Sequence, residues 1–172
     1  YDAARYLHIP VVQTLHNFRL ICPQAMLIRE GRLCTDCVGH WPWRAVLHRC
    51  YRGSLAQTAV TASMLSLHRL RGSWDQGVSR YIVLNQSCRD LFIAGGLPPD
   101  RLRIKPNFVD ASGVPDWKTR AGGVFIGRLS SEKGLSTLIQ ALQSLPGMSI
   151  DVYGKGPMQP VVERAPGLRY CG

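Results

Sequence analysis

Four of the six cysteines lie within one stretch of the chain, at Cys22, Cys34, Cys37 and Cys50. Two residues separate Cys34 from Cys37, which is the spacing that lets two thiolates bind one tetrahedral Zn²⁺. Cys22 and Cys50 would complete a four-sulfur site, and His40 or His48 could replace one of them. Because the stretch has no second close pair, unligated buried thiols are an alternative to structural zinc, and a disulfide is a further one.

A second group of candidates lies in residues 127–134, between a predicted strand and a predicted helix. Arg128 leaves the strand end and Lys133 stands just before the helix, so both cations can approach one anion, helped by the positive end of the helix dipole. This arrangement suits a diphosphate, whose charge needs more than one donor. The segment matches neither a Walker loop nor the dinucleotide fingerprint. A surface turn with solvated charges is the alternative.

Two further loops follow predicted strands in the same way, at residues 16–19 and 154–157. In an open parallel sheet, ligands bind beyond the carboxyl ends of the strands. His16 and the glycine-rich turn that begins at Gly154 are therefore candidate binding residues. The alternative for His16 is a strand-end histidine with no ligand.

Strands and helices that could position these residues alternate along the first half of the chain. Hydrophobic runs predict a buried strand at 9–15 and further strands at 81–84 and 102–105. A long helix opens at Ser54, its N-cap, with a buried face made of Leu55, Ala59, Ala62, Leu65 and Leu70. A second helix spans 87–94, with Ser87 as its predicted N-cap. Residues 18–50 predict an irregular, Cys-rich loop insertion.

The second half of the chain repeats the alternation of strand and helix. Strands are predicted at 123–126, 149–153 and 168–171, and a short helix ends near Arg164. A helix over 134–145 has a predicted buried face of Leu135, Leu138, Ile139 and Leu142. Both halves therefore predict an α/β fold made of parallel βαβ units, and the polar residues 109–121 predict a linker between two domains.

Composition narrows the class of protein. The chain has 172 residues and a net charge of +10, from 21 Lys and Arg against 11 Asp and Glu. Its 45% of hydrophobic residues excludes a disordered tail. The sequence contains no apolar run of about 18 residues, so no transmembrane helix is predicted. The excess of arginine favours anionic partners, namely nucleic acid, a membrane surface or a nucleotide phosphate. No basic run with interleaved aromatic residues indicates nucleic acid.

Four segments, in the right order, resemble family 4 glycosyltransferases. VFIGRLSSEKGLSTLIQAL, residues 124–142, closely resembles the opening of that family's donor-binding domain, and IDVYGKGP, residues 150–157, resembles its next strand and glycine turn. TLHN, residues 14–17, resembles the strand-end histidine motif of the acceptor-side domain. KPNFVD, residues 105–110, resembles the segment that crosses between the two domains.

The resemblance implies a GT-B fold, with two Rossmann-like domains that face each other across a cleft. Residues 1–108 would form the C-terminal part of the acceptor-side domain, including the insertion at 18–50, and residues 122–172 the N-terminal part of the donor-binding domain. It also implies transfer of a sugar from a nucleotide sugar with retention of configuration. Arg128 and Lys133 would bind the donor diphosphate, and His16 would be the catalytic residue near the transferred sugar. Gly127 and Gly154 would let the backbone approach the ligand closely.

One departure from the family bears on activity. Its donor domain has two glutamates seven residues apart, whereas the glutamates here are Glu30, Glu132 and Glu163. The family's glycine-rich N-terminal loop is also missing, and a complete enzyme needs about 150–200 residues for each domain. We therefore expect the sequence to be truncated at both ends and inactive alone.

The resulting hypothesis is a fragment of a bacterial, hexosyltransferase-type glycosyltransferase. Its expected partners are a nucleotide-sugar donor and a glycan or lipid-linked acceptor, with no nucleic acid and no cofactor required for catalysis. Because no signal peptide is recognised, we expect a reducing, cytoplasmic location, with peripheral contact to the anionic inner face of the membrane. The alternative hypothesis is a non-catalytic binding module stabilised by structural zinc.

Overall fold

Short aliphatic runs form two separate parallel sheets, one in each half of the chain. The computed structural model describes residues 1–110, 113, 118 and 121–172. The strands are β1 (Val12–Leu15), β2 (Ile28–Arg29), β3 (Arg32–Leu33), β4 (Arg80–Val83), β5 (Leu102–Ile104), β6 (Gly123–Ile126), β7 (Ile150–Tyr153) and β8 (Leu168–Tyr170). The helices are α1 (Asp2–Tyr6), α2 (Trp43–Leu47), α3 (Leu55–Leu70), α4 (Ser73–Gln76), α5 (Gln86–Ala94), α6 (Leu135–Gln143) and α7 (Gln159–Val162).

The chain divides into two units, Tyr1–Asp110 and Ala111–Gly172. The first contains the sheet β1-β4-β5 and the second the sheet β6-β7-β8, and all of these strand pairs are parallel. Helices connect the strands in both units, so the mixed α/β architecture is consistent with Rossmann-like units. Most of the predicted linker at 109–121 lies outside the described residues.

In the first sheet, the central strand β4 is more buried than the edge strand β1. Tyr81 and Val83 of β4 have no exposed surface, whereas Leu15 is the one buried residue of β1. The prediction of a buried strand over 9–15 was therefore wrong at its start, since β1 begins at Val12 and Val12 is exposed. The preceding residues leave α1 through a left-handed turn at His8, and Pro10 has no N–H to donate to a neighbouring strand.

Helix α3 confirms the predicted long helix and only part of its predicted buried face, namely Ala62 and Leu65. Ser54 Oγ caps the helix by accepting a hydrogen bond from the Gln57 N–H at 3.3 Å. The buried residues are Thr58, Ala62 and Leu65, whereas Leu55 and Leu70 are exposed. Thr58 is accommodated because its hydroxyl donates to the Ser54 carbonyl at 2.6 Å. No helix in the described part of the chain is long and apolar enough to cross a bilayer.

Helix α5 begins one residue earlier than predicted, and Ser87 is not its N-cap. Asn85 is extended, with φ −158°, and its Oδ1 accepts a hydrogen bond from the Cys88 N–H at 2.8 Å. A side chain at the last non-helical position can reach that N–H, whereas Ser87 is already inside the helix. Phe92 of α5 is buried, and its ring lies 5.5 Å from that of Phe18.

The Cys-rich segment, residues 18–50, is more regular than predicted. It contains a two-stranded antiparallel hairpin, β2-β3, and the short helix α2. Glu30 and Gly31 join the two strands, and both have a positive φ. A two-residue hairpin turn needs such φ values to match the twist of its strands. The prediction missed the hairpin because two-residue strands are too short to show a hydrophobic period.

The second unit is built around β7, which pairs with both β6 and β8. Leu129, Leu135, Val152 and Val162 form its buried cluster. On α6, Leu135 and Leu142 are buried as predicted, whereas Leu138 and Ile139 are half-buried. The helix ends at Gln143, two residues short of the predicted end, ahead of Pro146.

An ion pair joins the two neighbouring strands β7 and β8. Asp151 lies opposite Arg169, whose Nε and Nη2 each donate to one carboxylate oxygen at 2.7 Å. These hydrogen bonds and the positive charge hold the pKa of Asp151 below its ordinary value.

Replacing Arg169 with alanine is expected to raise the Asp151 pKa towards the ordinary value of about 3.9. In the wild type the folded-state pKa is the lower one. The pair therefore stabilises the fold above the unfolded-state pKa, and this stabilisation is lost as pH falls through the folded-state pKa. NMR titration of the Asp151 carboxyl carbon tests this, with Arg164→Ala as a matched control. An unchanged pKa in Arg169→Ala would contradict it.

Candidate functional site

Residues 127–134, which we call the cation loop, follow β6 and are bound to the loop that follows β7. The Gly127 N–H donates to the Tyr153 carbonyl, and the Leu129 N–H donates to the Lys155 carbonyl, each at 3.0 Å. The Leu129 carbonyl in turn accepts from the Met158 N–H at 2.9 Å. Leu129 has no exposed surface, so its side chain anchors the loop in the core of the second unit.

Gly154 sits where the two loops come closest. Its φ is +139°, and a Cβ added there would lie 1.9 Å from the Gly127 carbonyl oxygen. A Cβ at Gly156 would lie 2.3 Å from the Leu129 carbonyl oxygen. The close approach that these glycines allow is therefore between two loops of the same unit.

Arg128 and Lys133 are both exposed on the cation loop, on either side of Glu132. Ser130 Oγ donates a hydrogen bond to Glu132 Oε1 at 2.6 Å, and this bond is the main reason that the pKa of Glu132 is lowered. The charges of Arg128 and Lys133 lower that pKa further. Both cations therefore act on the same carboxylate.

The cation loop leads directly into the N-terminus of α6. Ser131–Lys133 forms a 3-10 turn, and Gly134, with φ +76°, reverses the chain into the helix. The first N–H groups of a helix have no partner within it and carry partial positive charge. Lys155, exposed on the neighbouring loop, adds a third cation that sequence analysis left without a role.

Comparisons with known proteins find no relative of this chain. No family model, curated protein or solved structure matches the chain. The chemistry proposed for each site therefore rests on the residues that form it.

His16 lies in the first unit, in a groove of about 330 Å³ at the carboxyl edge of its sheet. The groove is lined by Thr14, His16, Ile82, Lys105, Pro106, Asn107 and Phe108. Lys105 follows β5 as His16 follows β1, so the parallel sheet brings both to one edge. Lys105 and Asn107 were not predicted as site residues, although the position of Lys105 at a strand end was the signal that could have indicated a role.

The four clustered cysteines line one small space inside the first unit. Cys22, Cys34, Cys37 and Cys50 all contribute to its wall, whereas His40 and His48 do not. All six cysteines are free thiols, so there is no disulfide among them. Across the described residues, no group of three or more His, Cys, Asp or Glu side chains already stands in an arrangement that holds a metal ion.

A separate cavity of about 610 Å³ lies between α3 and the end of α5. His40, His68, Arg69 and Trp74 are among its lining residues, but none of the four clustered cysteines lines it. The cation loop and His16 do not line it either. Asp75 also lines this cavity, and the size of the cavity alone assigns it no ligand.

Beyond β8, the backbone continues along β7 towards the cation loop. The Cys171 N–H donates to the Val152 carbonyl at 2.8 Å, and the Gly154 N–H donates to the Gly172 carbonyl at 2.6 Å. The Cys171 side chain is exposed. Its thiol therefore lies one strand away from the turn that packs against Gly127.

Proposed function

We propose that this protein is a retaining glycosyltransferase of the GT-B type and that its second unit binds the diphosphate of a nucleotide-sugar donor. The proposal rests on the four sequence segments that resemble family 4 glycosyltransferases. The observation that carries it is that Arg128 and Lys133 are both exposed on the cation loop, which leads into the N-terminus of α6. The acceptor class in this proposal is a polysaccharide or a lipid-linked glycan.

Breaking the bond between sugar and diphosphate leaves negative charge on the departing nucleotide. Fixed cations and helix N–H groups that face this charge stabilise the transition state without having to reorganise. Arg128 offers a planar set of donors for phosphate oxygens, and Lys133 adds a point charge. The hydrogen bond from Ser130 keeps Glu132 within the loop, and no ion pair between Glu132 and either cation is present among the described residues.

In this proposal the first unit has a separate role. The groove of His16, Lys105 and Asn107 offers hydrogen-bond donors and acceptors to a hydroxyl-rich ligand such as a sugar. His16 is exposed at the strand end, so its ring can reach a bound ligand. We assign it the catalytic position near the transferred sugar on the strength of the resemblance.

Isothermal titration of UDP and GDP into the protein tests the donor site. Each of Arg128→Ala and Lys133→Ala is expected to weaken binding about tenfold, because each removes a charged hydrogen-bond partner worth about 1.5 kcal/mol. The matched control is Arg164→Ala, an exposed arginine beyond α7 and next to the amino end of β8. Its affinity should equal that of the wild type.

Equal affinities for the wild type and Arg128→Ala would contradict the diphosphate site. The alternative function, a non-catalytic binding module stabilised by zinc, is favoured by the four cysteines around one space. Failure of the wild type to bind either nucleotide, together with bound zinc, would support that alternative.

A further inference from the structure

The four thiols of the Cys-rich segment come from separate turns, and the backbone brings each to the same space. Cys22 ends a helical turn in which its N–H donates to the Phe18 carbonyl at 2.8 Å. Cys34 extends the hairpin by donating its N–H to the Leu27 carbonyl at 2.8 Å. Cys50 follows α2 and donates its N–H to the Ala45 carbonyl at 3.1 Å. These local bonds align thiols that are up to 28 residues apart in the sequence.

The turns that carry these thiols are strained. Five residues other than glycine have left-handed φ values in or next to this segment, namely Ala25, Leu27, Glu30, Arg49 and Arg52. Such conformations cost about 1–3 kcal/mol each and persist where the surroundings hold them in place. The antiparallel part of the segment is a hairpin of two residues on each strand, which supplies few hydrogen bonds. A cross-link between the turns would provide the missing restraint.

The four thiols are shielded from solvent to different degrees. Cys22 and Cys37 are buried, and Cys34 and Cys50 are half-buried. All four line the same small space. Such thiols become thiolates when a metal ion replaces their protons.

One arginine lines the same space as the four thiols. Arg29 contributes to its wall, and its Nη1 donates to Asp36 at 2.7 Å. A cation beside the thiols stabilises the negative charge that they carry as thiolates.

The space that the four thiols line is small, and apolar side chains such as Leu27 and Ile28 line it with them. Its volume is about 20 Å³, close to that of a single water-sized sphere. An iron–sulfur cluster with four iron atoms also uses four cysteines but needs more room. A single Zn²⁺, which takes four sulfur ligands in a tetrahedron, is the smaller group.

We propose that Cys22, Cys34, Cys37 and Cys50 together bind one structural Zn²⁺. On binding, each thiol loses its proton to solvent and forms one Zn–S bond, so that four protons leave and no redox change occurs. The centre then carries two net negative charges, and Arg29 lines the same space. Because the thiols do not yet stand in a metal-binding arrangement, binding includes rotation of their side chains towards the space they share.

This proposal does not rest on the proposed glycosyltransferase function, since the zinc ligands and the cation loop lie in different units. It also chooses between the ligand sets that the sequence left open. His40 and His48 lie outside the shared space, so four sulfurs are favoured over three sulfurs and one histidine. Zinc bound to Cys22 would also hold the turn that links Cys22 to Phe18 through a backbone hydrogen bond. Phe18 is two residues from His16.

Metal analysis of reduced protein, prepared without chelator and supplied with Zn²⁺, tests the site. The wild type is expected to retain one zinc per chain. Cys34→Ser and Cys37→Ser should each weaken zinc binding by more than the roughly 10–100-fold that loss of an outer partner causes. The matched controls are Cys88→Ser and Cys171→Ser, which change cysteines outside the cluster and should retain the metal.

Cobalt substitution separates the ligand sets in the wild type itself, without a cysteine variant that could fail to fold. In the wild type, Co²⁺ should give the absorption of a tetrahedral four-thiolate centre, unchanged in His40→Ala and His48→Ala. A wild type that takes up no zinc, or that binds iron instead, would overturn the proposal. Zinc retained with wild-type affinity in Cys34→Ser would overturn it as well.

Discussion

Gly154→Ala is expected to destabilise the second unit by about 2–5 kcal/mol, from a backbone conformation that alanine rarely adopts and a backbone shift that relieves the clash. The clash is unavoidable because the added Cβ would lie 1.9 Å from the Gly127 oxygen, which is part of the backbone and cannot rotate away. Hydrogen exchange of the amides in β6, β7 and β8 measures the free energy of opening of this unit directly.

Gly147→Ala is the matched control for this substitution. Gly147 also has a positive φ, +86°, but a Cβ there would meet no atom within 4 Å. It should therefore cost about 1–2 kcal/mol, the penalty for a left-handed conformation alone. Equal losses in the two variants would show that contact between the two loops does not constrain Gly154.

Leu129→Ala is expected to cost about 2–5 kcal/mol, since it removes a fully buried side chain and leaves a cavity. The effect should extend to ligand binding, because Leu129 stands directly after Arg128 and anchors the loop that bears it. We expect weaker UDP affinity even where the variant remains folded. Hydrogen exchange of the second unit and isothermal titration with UDP measure the two effects separately.

Leu145→Ala provides the comparison in the same unit. Leu145 is 47% exposed and follows the end of α6, away from the cation loop. Its loss should change stability by less than about 1 kcal/mol and leave UDP affinity unaltered. If Leu129→Ala behaved in the same way, the anchoring role of Leu129 would be wrong.

The strands and their parallel order were the most predictable part of the fold. Hydrophobic runs at Tyr81 and Phe125, separated by amphipathic helices, leave few alternatives to parallel pairing. The buried face of α3 was less predictable, because Thr58 is buried with its hydroxyl bound to Ser54 and Leu55 is exposed. Helical period identifies which residues share a face, but tertiary contacts decide which face is covered.

The candidate sites also have one part that could be predicted from the sequence and one part that could not. Strand-end position and charge predicted a diphosphate site at Arg128 and Lys133. This stays a prediction, and both residues are exposed on the loop between β6 and α6. The contact between Gly154 and Gly127 could not be predicted, since it depends on how two loops pack after their strands have paired. The hairpin between Cys22 and Cys34 was missed for a related reason, because strands of two residues owe their form to a turn and not to a pattern.

The exposed thiol of Cys171 has a practical consequence for measurement. The backbone next to it pairs with β7, and Gly172 accepts the N–H of Gly154. A fluorescent label attached at Cys171 would sit one strand from the cation loop and report changes in its surroundings. Alkylating reagents react with this exposed thiol faster than with the buried Cys22 and Cys37, while the half-buried Cys34, Cys50 and Cys88 compete with it.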